Sequence, residues 1–182
     1  MSVEMPESAI NKLILMFVLD KMEIPLSNSS IIDICTHRNS WLSYLECEEI
    51  IPTLLDNKLI YIPSEHASEP YYTLTYEGRN CLAMFFNKIP QKLREEISLY
   101  CKTNIQNIKR RQEYVSKYEK MADGSYVATF TIREPIMGTL FEMVVKMDSR
   151  ASAISATKKW IDKAPEVYES IFVNLLTTED GD

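Results

Sequence analysis

Residues 8 to 82 constrain this chain most. They contain three helix-like segments, a strand-loop-strand pattern, and the run Tyr72-Thr73-Leu74-Thr75-Tyr76-Glu77-Gly78-Arg79-Asn80-Cys81-Leu82. Ser8 stands as an N-cap. After it, Ile10, Leu13, Ile14, Phe17 and Val18 recur at three- and four-residue spacing, which predicts one buried face of a first helix stopped by Pro25. Ser27-Asn28-Ser29-Ser30 offers caps for a short second helix with Ile31, Ile32, Ile34 and Cys35, and the polar His37-Arg38-Asn39-Ser40 reads as a turn. Trp41, Leu42 and Leu45 lead into a third helix with Ile50, Ile51, Leu54 and Leu55 inward, closed by Asn57-Lys58. Leu59-Ile60-Tyr61-Ile62 and Tyr71-Tyr72-Thr73-Leu74 read as strands around a polar loop, Pro63 to Pro70. Thr75 then caps a fourth helix through Phe86.

The second half has a different pattern. Pro90 opens a helix predicted to reach Met121, since proline in the first turn gives up a backbone N–H that has no partner there anyway. Leu93, Ile97, Cys101, Ile105, Ile108 and Val115 form a narrow apolar stripe, and the seven-residue spacing of Cys101, Ile108 and Val115 suits one partner helix. After Asp123-Gly124, two alternating segments around Pro135-Ile136-Met137-Gly138 predict a two-stranded hairpin, which is marginal alone and needs a cover. Helices follow, one with Ile154, Thr157, Trp160 and Ile161, and one beyond Pro165. The last residues, Glu179 to Asp182, read as a frayed end.

The expected fold class is therefore α+β. A winged helix-turn-helix over residues 1–87 precedes a connector helix, a β-hairpin and C-terminal helices over 88–182, a dimerisation or effector domain. No apolar run approaches the roughly 20 residues that span a bilayer, and the apolar segment Ile10 to Leu19 lacks a cleavage site, so the reading is a cytoplasmic protein with no membrane partner. Cys35, Cys47, Cys81 and Cys101 are too widely spaced for a zinc site, and the only histidines are His37 and His66. No phosphate loop, nucleophile-base constellation or metal motif is visible, so no catalytic residue, metal or cofactor is expected.

The stretch Leu54-Leu55-Asp56-Asn57-Lys58-Leu59-Ile60, followed by Tyr72-Thr73-Leu74-Thr75-Tyr76-Glu77-Gly78, is similar to the recognition-helix end and wing of bacterial winged-helix regulators. Over nearly its full length the chain resembles a bacterial winged-helix family catalogued as a domain of unknown function, with a helix–hairpin–helix half of its own type. The resemblance implies a transcription regulator.

The charge distribution runs against that implication. Residues 1–87 hold five basic residues against twelve acidic ones, a balance of −7, whereas the rest of the chain stands at +1. The third helix would turn Glu46, Glu49, Thr53 and Asp56 outward, with Pro52 expected to kink it. The outward polar groups left for DNA are Arg38, Asn39, Ser43, Tyr44 and Thr53, with Lys58, Arg79 and the wing residue His66 for phosphates. The expected partners are a second copy of the chain and DNA, bound weakly or with assistance. The rival reading is a winged helix turned to protein contact, its acidic face meeting a basic partner.

Overall fold

A computed structural model describes residues 5–65 and 69–176. The chain is a mixed α+β protein divided into two compact units, Met1–Lys109 and Arg110–Asp182. In the first unit the elements run α1 (Glu7–Met22), β1 (Leu26–Ser27), α2 (Asn28–Ile32), α3 (Tyr44–Asp56), β2 (Ile60–Tyr61), β3 (Tyr71–Leu74), α4 (Tyr76–Phe85) and α5 (Gln91–Glu113), of which residues 110–113 fall in the second unit.

The first helix is more deeply placed than its spacing predicts. Every residue from Leu13 to Leu19 is buried, so the helix has no solvent face over two turns. A helix apolar all round belongs inside a core rather than at its edge. It also begins two residues earlier than expected, with Pro6 and not Ser8 at its N-cap, and it ends at Glu23 in a left-handed conformation, φ 54°.

Ser27 has two roles. Its backbone lies in β1, opposite Tyr71 of β3, while its hydroxyl accepts the Ser30 N–H at 3.2 Å and caps α2. The strand was not foreseen because two residues carry no periodicity. From Asp33 to Arg38 the helix continues as a wide π-turn, which takes in His37 and Arg38, where the polar turn was expected to begin. The Cys35 carbonyl then accepts both Trp41 N–H and Leu42 N–H, at 2.8 and 3.1 Å. The small sheet is antiparallel in the order β1-β3-β2, with Ile60 opposite Leu74.

The run Leu74-Thr75-Tyr76-Glu77-Gly78 acts as a clasp between α4 and the end of α3. The Thr75 hydroxyl accepts the Gly78 N–H at 2.9 Å and donates to the Lys58 carbonyl at 2.7 Å. Thr75 N–H donates to the Leu59 carbonyl at 3.0 Å. Gly78 packs so closely that a Cβ there would fall on the Leu59 carbonyl oxygen. Any side chain at position 78 must therefore push α4 off β2.

Helix α5 ends at Glu113, and Tyr114–Lys120 is a strand, β4, rather than its continuation. Tyr114, Val115 and Tyr118 are β-formers, and the whole segment pairs with Tyr126–Ile132, which overrides the helical pattern. The α5 stripe meets its own chain. Ile97, Cys101 and Ile108 are buried in the same core as α1, so the seam expected for a partner helix is already filled. Trp41 stacks edge-on against Tyr100 at 5.5 Å and donates its indole N–H to Glu96 at 2.8 Å.

The second unit is a three-stranded antiparallel sheet with one helix across it. The order is β4-β5-β6, with β5 (Tyr126–Glu134) in the centre, β6 (Gly138–Met147) at one edge, and α6 (Arg150–Leu176) as the cover. The expected hairpin is β5–β6, and β4 supplies the third strand. Pro165 does not divide the last helix; α6 runs through it unbroken. Trp160 is the anchor, buried against Phe130 at 5.2 Å and Phe141 at 6.4 Å, with its indole N–H on the Thr131 carbonyl at 3.2 Å. The expected frayed end, residues 179–182, lies outside the described residues.

Two outcomes follow from this packing. Gly78→Ala should lower unfolding free energy by about 1–3 kcal/mol, because the obstacle is backbone and cannot rotate away. Trp160→Ala should cost about 3–5 kcal/mol in the second unit. Urea unfolding followed by circular dichroism reads both, and a change under about 0.5 kcal/mol in either would refute the packing described.

Candidate interaction face

Helix α3 is set by its first turn. Ser43 is the N-cap: its hydroxyl accepts the Glu46 N–H at 3.3 Å, while the Glu46 carboxylate accepts the Ser43 N–H at 2.7 Å. The other Glu46 oxygen accepts the Asn11 amide of α1 at 2.6 Å. These bonds decide which side of α3 faces out. Glu46 is turned toward α1, with Thr53 on the same flank and its hydroxyl returned to the Glu49 carbonyl at 2.8 Å. The exposed side is instead Tyr44, Leu45, Glu48, Glu49, Pro52 and Asp56. Leu45 is 70% exposed and Tyr44 53%.

Of the expected outward stripe, Glu49 and Asp56 are exposed while Glu46 and Thr53 are half-buried on the α1 flank, and a leucine and a proline enter the face. The helix passes Pro52 without interruption. The physical reason for the position of Glu46 is the capping box, which draws it back over its own helix terminus.

Beside this face lies an open groove between α2, α3 and β3, bordered by Asn28, Ser29, Glu48, Pro52, Glu69 and Tyr72. Asn28 donates to Glu48 at 3.4 Å, and Ser29 donates to Glu69 at 3.3 Å. Burial first, then the Glu48 and Glu69 charges, push the Tyr72 hydroxyl above its ordinary value.

The eight residues expected to meet DNA are dispersed. Arg38 holds Asp33 through its Nε at 3.0 Å, which raises its pKa further. The Asn39 amide donates to the Ile34 carbonyl at 2.8 Å. Ser43 is committed to the cap, and Tyr44 stands exposed beside it. Lys58 lies beyond the other end of α3, about 20 Å away along the axis. Its backbone is left-handed, φ 56°. Arg79, on α4, reaches Asp20 of α1 at 3.6 Å. His66 lies outside the described residues. The turn thus brings Arg38, Asn39, Ser43 and Tyr44 near one end of α3, while Lys58 and Arg79 stand apart. Sequence reasoning missed Leu45, Glu48 and Pro52; the Ser43-x-x-Glu46 capping signature was the signal that could have placed them.

The cysteines are structural in character. Cys35, Cys47 and Cys101 are buried and all four are free. The Cys35 thiol is pushed up by its hydrogen bond with Cys47 and by burial, and burial takes Cys101 to about 12. Among the described residues no cluster of three or more histidine, cysteine or carboxylate groups is arranged to hold a metal, and no helix is long and apolar enough to cross a membrane.

A family model matches residues 11–175, so both units fall within one described domain. The chain belongs to the DUF4364 family, a domain of unknown function. Neither a curated protein nor a solved structure matches it. Membership in the family therefore supplies extent and no activity, and the reading of the site rests on its geometry.

The cap carries its own test. Ser43→Ala should cost about 1 kcal/mol of stability. Glu46 is held below its ordinary value of 4.5, chiefly by the Ser43 backbone N–H. A depressed carboxylate contributes stability that is complete above its unfolded pKa and is lost as pH falls through the folded one. Wild type should therefore lose more stability than Glu46→Gln between about pH 5 and pH 3. Parallel acid dependences, measured by urea titration at each pH, would show that the carboxylate contributes nothing.

Proposed function

We propose that the first unit is a winged helix and that the protein regulates transcription, holding DNA weakly by itself and more firmly with a partner. The observation that supports the reading is the element order α1, β1, α2, α3, β2, β3, with β3 paired between β1 and β2. That arrangement offers a third helix for a major groove and a β2–β3 loop as a wing. Helix α3 is well suited to be presented, since a capping box fixes its start and one side of it stays exposed.

The weakness follows from charge. The exposed side of α3 has Glu48, Glu49 and Asp56 and no basic residue. Arg38 and Arg79 already answer Asp33 and Asp20. Each phosphate contact contributes to affinity by releasing counterions, so few contacts mean weak binding with a shallow salt slope.

A second reading is favoured by one specific feature. Leu45 and Tyr44 stand exposed at the start of a face that is otherwise acidic. An apolar anchor with carboxylates around it suits a basic, amphipathic segment of another protein better than it suits a phosphate backbone.

Fluorescence anisotropy with random duplex DNA separates the two. On the first reading the dissociation constant is about 10⁻⁴ M or weaker near physiological salt, and Glu48→Gln with Glu49→Gln strengthens it several-fold. On the second, the double variant leaves DNA binding undetectable and loses capture of a synthetic lysine- and leucine-rich helical peptide, and Leu45→Ala loses it as well. A double variant unchanged in both assays would remove α3 from either role.

A further inference from the structure

The free edge of β6 is the most conspicuous unpaired feature of the second unit. The strand is ten residues long and, among the described residues, has a neighbour on one side only. Five or six residues is the usual length, and a long apolar edge is a template for another strand unless something blunts it. The opposite edge is blunted: β4 carries Lys117, Glu119 and Lys120, all exposed, and its Ser116 hydroxyl is tied to the Thr157 carbonyl of α6 at 3.0 Å. β6 has no proline and two charges, Glu142 and Lys146, both exposed on the face away from α6; the Lys146 ammonium holds Asp123 of its own chain at 2.9 Å and has further donors for a second carboxylate. Between them sits Val144, 62% exposed. On β6 the sheet's register shift falls at Leu140, between Thr139 and Phe141, and from Phe141 to Met147 the ladder with β5 is regular.

The geometry points to a second copy of this chain as the occupant: two β6 strands pair antiparallel about a two-fold axis at Val144, joining two three-stranded sheets into one of six. In this register Val144 meets its own symmetry mate. Glu142 faces the partner's Lys146, and Lys146 faces the partner's Glu142. On the α6 side, Phe141 meets the partner's Met147 and Met143 meets the partner's Val145. Opposite charges across a ladder attract, and the two-fold repeats each pair.

Neighbouring registers fail this complementarity. Centring on Met143 sets Glu142 against valine. Centring on Glu142 sets it against itself, and centring on Val145 sets it against the partner's Asp148. A shift by one residue would turn the apolar row of one copy onto the charged face of the other. The border is also apolar on the α6 side. Tyr168 packs on Phe141 at 6.0 Å and Phe172 on Tyr168 at 6.3 Å, leaving Phe172 and Val173 half-exposed. The added strand extends the surface beneath this end of the helix.

The proposal is independent of DNA binding. Size-exclusion chromatography with light scattering at micromolar concentration should give twice the 21.1 kDa chain mass. Val144→Asp, which sets like charges face to face at the axis, should give a monomer. Val144→Thr, a control that keeps strand propensity, should remain a dimer. Glu142→Lys and Lys146→Glu should each weaken the dimer about tenfold or more, and together they should restore it. Circular dichroism confirms that each variant is folded. A monomeric wild type, or a dimer indifferent to Val144→Asp, overturns the proposal. Loss with either single charge change and no recovery in the double variant overturns the register.

Discussion

Seven successive residues of α1, Leu13 to Leu19, are buried, and the first unit is arranged around that fact. Such a helix cannot lie on a surface, so other elements must close over every side of it. Helix α3 takes one side, fastened by Asn11 to Glu46. Phe86, following α4, sets its ring edge-on to Phe17 at 5.6 Å. The three-stranded sheet and the α5 stripe complete the enclosure. Each covering element then has only one face left to offer to a partner.

The consequence for the candidate site is direct. Because α3 must turn Cys47, Ile50, Ile51 and Leu54 toward α1, its outward face is whatever lies opposite. That face carries Leu45, Glu48, Glu49 and Pro52. It owes its direction to packing and its chemistry to residues that packing does not need. Surface residues are where function is written in a fold of this kind, since the same architecture serves many roles.

The second unit depends on a different constraint. A three-stranded sheet with one helix buries one face and leaves two edges. Trp160 gathers Phe130 and Phe141 beneath it and fixes α6 on the sheet. Among the described residues, β6 has no neighbour on its outer side. The contrast between the charged β4 edge and the self-complementary β6 edge is a difference in chemistry on one small scaffold.

Much of this was legible in the sequence. Helical spacing marked α1, α3 and α4, and alternation marked β5 and β6. Local chemistry sufficed there because period, capping and turn residues act within a few positions. Three features were decided only in the tertiary structure. The strand β1 exists because Leu26 and Ser27 meet β3 far along the chain. The end of α5 at Glu113 was decided by the ladder that Tyr114–Lys120 forms with β5. The outward face of α3 was decided by which side α1 occupied and by the pull of Asn11 and Ser43 on Glu46. All three arise from contacts between distant residues, and a one-dimensional pattern holds no record of which surfaces will meet.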